Sequence, residues 1–474
     1  MSLLAKSRGM DMTTGPLFRK LLLFILPLMI TNLLQMFYNA ADIMIVGMSS
    51  EPDAVGAVGS GSPFQSLVVN LFIGFSLGTD VVVARSVGAG DREKTSRAVH
   101  TSICMSVIFG VIGGALGFAL TKPVLAAMGN TGRLLELSAV YSYIYFICLP
   151  LMSLTNFLSA ILRAKGDSGT PMFVLAGTGL LNVGLNLFFV LVVGLSVEGV
   201  AIATGIANGA AALIMWIILS KETDGCRVSF SKLRITGAEF GEICRIGFPA
   251  GVQNAMFSIS NMLIQSSILQ VNNALTPAGS AYAPVVKGNA ASQSIESFIF
   301  TALNAVTMSG GTFTSQNVGV GNYRRIKQAL WTIAGIAGVL SVVATVLLAL
   351  LRDPLLALYD VHNAPDVLSQ LAYETAMKRI LYKWTSFTLF ALMNTAAGVL
   401  RGMGLSMRTA VISLIGTCAF RVAWIYTAFR IWPTLEIIYL SYGISWLLTG
   451  GAFFIMALVI LKKRLRGAEK SPNP

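Results

Sequence analysis

Charge is what this chain lacks. Of its 474 residues only 12% are Asp, Glu, Lys or Arg, where a soluble domain carries roughly twice that share. With 55% hydrophobic residues and a mean hydropathy of +0.73, the scarcity excludes an ordinary soluble fold and reads as an integral membrane protein. Histidine is almost missing too. The two present, His100 and His362, lie near span ends with no cofactor motif beside them, so no cofactor is expected. The five cysteines fall in spans or in a polar linker and none forms a CxxC, which predicts neither a disulfide nor a metal site. Met1–Gly15 is polar and the first apolar stretch is too long for an h-region, so no cleavable signal peptide is expected. Lipidation motifs are absent at both ends.

What is present is a succession of long apolar runs. A helix needs ~20 residues to cross a bilayer, and hydropathy divides the chain into twelve such spans. They fall near 18–48, 58–84, 97–121, 135–159, 170–194 and 197–220, then 245–271, 287–313, 327–351, 376–400, 407–430 and 435–461. The fold class predicted is an all-α integral membrane protein of twelve transmembrane helices.

The net charge of +13 follows this topology. Most Lys and Arg fall on the side of the N-terminal arm. Only Lys122, Arg133, Arg352, Lys378, Arg379 and Arg430 lie on the other, with Lys287, Lys383 and Arg421 inside spans. Cytoplasmic loops of membrane proteins carry this excess. Both termini are therefore expected in the cytoplasm of a multi-pass protein of the cell membrane, and the basic balance gives no sign of a nucleic-acid partner.

The two halves repeat. Ser86-Val-Gly-Ala-Gly-Asp-Arg-Glu-Lys94 matches Asn317-Val-Gly-Val-Gly-Asn-Tyr-Arg-Arg325, and Ile161-Leu-Arg-Ala-Lys-Gly-Asp-Ser168 matches Val399-Leu-Arg-Gly-Met-Gly-Leu-Ser406. Pro27 corresponds to Pro249 at nearly the same spacing. Six spans per half is an even number, so both halves enter from the same side. This gives parallel six-helix repeats with a cavity between bundles. The expected division is an N-lobe over 1–220, a cytoplasmic linker over 221–244 and a C-lobe over 245–474. Gly88 and Gly90 lack a preceding strand, so they read as a tight turn needing positive φ rather than a phosphate loop. The Arg163 and Arg401 turns are expected at lipid headgroups, and Asp80 is expected to pair with nearby Arg85.

Two features interrupt the first span: Pro27 and Asp42. Proline removes a backbone hydrogen bond and lets a helix bend, so Pro27 is a candidate hinge. A carboxylate at membrane depth is expensive and marks a functional site by default. Asn182 and Asn186 lie four apart on one face of span 5, and Thr204 and Asn208 do the same on span 6. Asn186 and Thr204 sit equally far from the connecting turn, which places them at one depth, in the outer half of the bilayer with Asp42. One carboxylate, two amides and a hydroxyl suit a bound Na⁺, a hydrogen-bonded nest for a protonating carboxyl, or interhelical glue. In the second half, Glu296 and Arg421 lie at equal depth and are expected to form a buried pair.

These residues resemble the multidrug and toxic compound extrusion (MATE) family of bacterial transporters, and the resemblance covers essentially the whole chain. It rests on the Pro-containing first span ending in Asp42-x-x-x-x-Gly47, the Arg-x-x-Gly turns after spans 4 and 10, the VGxG turns after spans 2 and 8, and Gly199-Val-Ala-Ile-Ala-Thr204. It implies twelve helices in two lobes, and export by alternating access coupled to inward H⁺ or Na⁺. Asp42 matches the coupling carboxylate, Asn182 and Thr204 match its neighbours, and Gln35, Tyr38 and Tyr141 match positions facing the N-lobe cavity. The position of Asn186 is often Asp in the family, and Phe248–Val271 has no acidic residue. The N-lobe site therefore has one carboxylate, which favours H⁺ over Na⁺. The expected function is antiport of small amphipathic organic compounds by a monomer in a lipid bilayer. The alternative, kept open by Lys383 and Arg421, is a flippase or exporter of a lipid-linked or anionic metabolite. An enzyme is not expected.

Overall fold

The structure, a computed structural model, describes residues 9–276, 283–363 and 366–470. Those residues are helical almost throughout and contain no strand. The first six long helices are α1 (Leu17–Val46), α2 (Ala54–Gly88), α3 (Arg92–Ala127), α4 (Gly132–Ala164), α5 (Gly169–Leu187, prolonged by a π-turn Phe188–Val192) and α6 (Val197–Ser220). The next three are α7 (Gly237–Leu275), α8 (Pro284–Gly319) and α9 (Tyr323–Leu350). Helix α10 joins Val367–Arg379 to Phe387–Gly402 through a π-turn at Ile380–Trp384. Helices α11 (Ser406–Ile431) and α12 (Leu435–Lys470) complete the set.

The twelve expected spans all appear as helices. Nine of those described are long and apolar enough to cross a membrane; α7, α8 and α10 are too polar for that measure, carrying Gln253, Gln265, Asn289, Glu296 and Lys383 among others. The helices outrun the apolar runs because a helix propagates until a stop signal ends it. Helix α3 starts five residues before its expected span, where the Asp91 carboxylate accepts the Lys94 backbone N–H at 2.9 Å. That is an N-cap. Asp366 caps α10 in the same way through Ser369. The repeat is visible in backbone geometry: Gly90 and Gly321 have φ of 71° and 69°, and Gly166 and Gly404 have 91° and 81°. These are the left-handed turns expected of the repeated glycines, except that Gly88 is the last residue of α2 and is small because it lies against the Gln316 backbone. Large apolar side chains point outward, as on α3 at Ile108, Val111, Ile112 and Leu116, a face that suits hydrocarbon and not water.

The chain forms two compact units. The first holds residues up to Val252 together with Thr312–Asn322; the second holds Gln253–Gly311 and the chain from Tyr323 onward. In the first unit, Gly74 and Gly78 of α2 face Gly247 and Gly251 of α7. A Cβ on Gly247 would lie 2.7 Å from the Phe75 Cα, and one on Gly78 would lie 2.5 Å from the Ile243 carbonyl oxygen. Small residues four apart on both helices thus allow backbone contact, the usual device of membrane helix pairs. The polar stretch after α6 is strapped to this unit. Lys165 Nζ pairs with Glu222 and Asp224 at 2.5 and 2.7 Å, and Cys226 and Val228 are buried in its core. The Ser229 N–H donates to His100 Nε2 at 3.1 Å, so the His100 proton sits on Nδ1, which donates to the Ser96 carbonyl at 2.7 Å.

Candidate functional site

Helix periodicity places Gln35, Tyr38, Asn39 and Asp42 on one face of α1, and that face lines a cavity of about 360 Å³ in the first unit. Tyr141, Tyr145 and Asn156 of α4, Thr178 and Asn182 of α5, and Thr204 and Asn208 of α6 line it as well. Asp42 is the one charged side chain among the lining residues. Tyr38 reaches across α5 to donate to the Ala176 carbonyl at 3.0 Å. Its ring lies against Gly179, where any Cβ would overlap it, so that glycine admits the tyrosine.

In the cavity wall Asp42 is 8% exposed, and Asn186 behind it is fully buried. Asn186 Nδ2 donates to Asp42 Oδ1 at 2.5 Å. With the Asn182 amide turned so that its nitrogen faces the carboxylate, it donates to the same oxygen at 2.9 Å, and its own oxygen accepts from Thr204 Oγ1 at 3.3 Å. Thr204 Oγ1 also lies within 2.9 Å of the Val200 carbonyl, and Asn208 Nδ2 donates to the Thr204 carbonyl at 2.9 Å. The hairpin between α5 and α6 thus brings Asn182, Asn186 and Thr204 together around Asp42, with Asn208 one turn further along the wall. Two amide donors satisfy one carboxylate oxygen. On the far side of the Asn186 amide, its buried Oδ1 has no hydrogen-bond partner. Pro27 is buried within α1, which runs through it as one helix, and its carbonyl accepts from Thr31 Oγ1 at 2.8 Å.

The second unit corrects the expected Glu296–Arg421 pair. Glu296 is bonded instead to Arg379 and to Lys383, whose Nζ lies 2.5 Å from its Oε1. Arg379 and Lys383 are four apart on α10, so both reach one acceptor. Arg421 turns away from Glu296: its Nε donates to Ser445 Oγ at 3.1 Å, and its guanidinium carbon lies 4.2 Å from the centre of the Tyr442 ring. Asp80 likewise does not pair with Arg85, which bonds Glu242 at 2.8 Å. Asp80 accepts from Thr312 Oγ1 at 2.8 Å and interacts electrostatically with Arg163. Arg163 is therefore turned toward a buried acid rather than set at the headgroups.

The sequence reading missed Asn39, Tyr145, Asn156 and Thr178 in the cavity wall. Asn39, Tyr145 and Thr178 carried a signal, each being three or four residues from a recognised lining position on the same helix. Arg379 was also missed, because it falls at the very start of the expected span 376–400 and was counted with the outer-side cations.

Twelve long helices with apolar outer faces and a polar cavity inside define a multi-pass membrane transporter. The MatE family model matches residues 27–188 and 249–427, most of the chain, and the chain belongs to that family. It is 25% identical over 407 residues to the probable multidrug resistance protein YoeA of Bacillus subtilis, covering 84% of this chain and 83% of that one. The multidrug export protein MepA of Staphylococcus aureus is 27% identical over 263 residues, 55% of this chain and 57% of its own. The fold matches an outward-facing multidrug resistance MATE family transporter of the MOP superfamily with a TM-score of 0.86, at 19% identity, over 97% of this chain and 99% of that one.

Proposed function

We propose that this protein is a secondary active exporter of small amphipathic organic compounds, working by alternating access with inward H⁺ antiport through Asp42. The observation that carries this reading is the cavity whose one charged lining residue is Asp42. The names of the relatives, multidrug resistance and multidrug export proteins, agree with it. The protein acts as a monomer in the cell membrane, with both termini cytoplasmic. Residues 1–220 and 245–474 act as its two lobes, and 221–244 as the linker between them.

In the anionic state Asp42 attracts a positively charged or polar cargo into an aromatic and amide-lined cavity. The Asn186 and Asn182 amides hold the carboxylate by donating to it. Protonation cancels the charge and turns Asp42 from acceptor into donor. The unpartnered Asn186 Oδ1 supplies the matching acceptor when that amide rotates by half a turn. A shift of a few kcal/mol between the two arrangements is enough to change which conformation dominates. Bending of α1 at Pro27 then closes the cavity and expels the cargo. Na⁺ coupling is the less favoured form, since the lining offers a single carboxylate to balance the ion. A second reading, movement of an anionic or lipid-linked compound, is favoured by the surplus of buried cations around Glu296. Efflux of ethidium from cells producing the Asp42→Asn protein tests the proposal. Efflux is expected to fall to the level of cells without the protein at unchanged membrane expression, and wild-type efflux would refute it.

A further inference from the structure

The second unit buries more positive charge than it neutralises. Glu296, Arg379, Lys383 and Arg421 are between 1% and 4% exposed, and one carboxylate faces three cations. Its two oxygens are taken by Arg379 and Lys383. The remaining Arg379 contacts are neutral: Nη1 donates to Asn289 Oδ1 at 2.5 Å, which also accepts from Tyr439. Among the described residues, Arg421 pairs with no acid. Its Nη2 is buried without a hydrogen-bond partner, and the guanidinium shares the Tyr442 ring with Lys383, whose Nζ is 3.9 Å from that ring centre. Trp446 flanks the Arg421 guanidinium at 5.8 Å. A guanidinium offers five donors in a planar fork suited to two oxygens of one anion. A buried cation without its counter-charge is costly to fold, so the arrangement is one for which the missing partner comes from outside the chain.

We propose that this cluster is an anion-binding site that takes a carboxylate or phosphate group on an aromatic or other flat apolar body. The oxyanion bridges the free Arg421 Nη2 edge and the Lys383 ammonium, and the apolar body packs against Trp446, Phe300 and Phe390. Those three rings lie 5.2–6.0 Å from one another in the pairs that include Trp446. Phe300 and Phe390 are half-buried while the charges are not exposed, so the aromatic wall reaches the accessible surface and the cations lie behind it. The site makes carboxylated and zwitterionic compounds cargo alongside cations. It rests on the export reading only in treating its ligand as cargo, because binding is measured without any gradient.

The test is equilibrium binding of 2-naphthoate, and of its neutral isostere 2-naphthamide, to the purified full-length protein in maltoside micelles. Losing a charge-assisted hydrogen bond weakens binding by about tenfold or more. The carboxylate is therefore expected to bind at least that much more tightly than the amide. Arg421→Gln is expected to erase the preference, and Arg421→Lys to retain part of it, both at the wild-type elution volume. Removing an unpaired buried charge leaves no orphan behind, so the glutamine variant is expected to fold. Repeating the measurement in phosphatidylcholine and in phosphatidylglycerol nanodiscs separates the sources of the anion. Loss of naphthoate binding only in phosphatidylglycerol assigns the site to a lipid headgroup phosphate, and equal binding in both assigns it to a soluble cargo. Equal affinity for naphthoate and naphthamide, or an undiminished preference in Arg421→Gln, would overturn the proposal. A failed anion site leaves ethidium efflux through Asp42 untouched, and a failed efflux assay leaves this binding measurement standing.

Discussion

Replacing Glu296 by Gln keeps the shape of the side chain and removes the only acid among three buried cations. Glu296 holds Arg379 through both its oxygens and Lys383 through one, and all three are essentially inaccessible. Breaking a buried pair by removing one partner costs ~3–5 kcal/mol, because the other charge stays buried and unpaired. At ~1.4 kcal/mol per tenfold, the folding equilibrium is expected to move by two decades or more. Trp384 and Trp446, 1% and 3% exposed, adjoin the cluster and report its loss by fluorescence during denaturation of the purified protein. Adding Lys383→Met to the Glu296→Gln protein removes one of the orphaned charges and is expected to restore much of the loss. Arg421 has no bond to Glu296 but shares the Tyr442 ring with Lys383, so its substitution is expected to couple to position 296 less strongly than that of Lys383 does. A Glu296→Gln protein as stable as wild type would refute this account of the cluster. So would a coupling between positions 296 and 421 larger than that between 296 and 383.

Three further substitutions test the helix contacts and the ion site. Gly247→Val drives a side chain into the α2 backbone at Phe75. It is expected to cost about 1–3 kcal/mol or more, read as lower yield and earlier thermal unfolding. Gly338→Ala, with nothing within 4 Å of its added Cβ, is expected to be neutral or stabilising. Asn186→Asp places a second carboxylate beside Asp42 and is expected to make efflux respond to Na⁺ where the wild-type protein does not. An unchanged ion dependence would count against the amide at 186 as the group that sets ion choice.

The helices were legible in the sequence because twelve apolar runs are hard to mistake, but their ends were not. Hydropathy marks where hydrocarbon stops, whereas the helix stops at a cap or a glycine. That difference explains the largest error. Most of the segment Val367–Arg379 is polar enough to pass for a loop, so Arg379, at the edge of the expected span, was counted as an outer-side cation; the segment is helical throughout and carries Arg379 to Glu296. Equal depth then pointed to Arg421, which a π-turn at Leu414–Ala419 and the Tyr442 ring hold elsewhere. The Asp42 cluster was legible for the opposite reason. Its partners lie on a single helical hairpin, where a spacing of four and distance from the turn fix both face and depth. Asn156 was not legible, since it lies far along α4 from Tyr141 and nothing local marks the cavity face there. The Gly74, Gly78, Gly247 and Gly251 contact also escaped, because it joins segments far apart in the chain and shows as a pattern only once α2 and α7 are known to be neighbours.

Ethidium transport by the purified protein in liposomes, with a pH gradient and a Na⁺ gradient imposed separately, tests the central claim most directly. Accumulation driven by the pH gradient alone, absent with the Na⁺ gradient alone and abolished in Asp42→Asn, is the predicted result. Robust transport driven by Na⁺ at zero pH gradient, or by the pH gradient in Asp42→Asn, would contradict it.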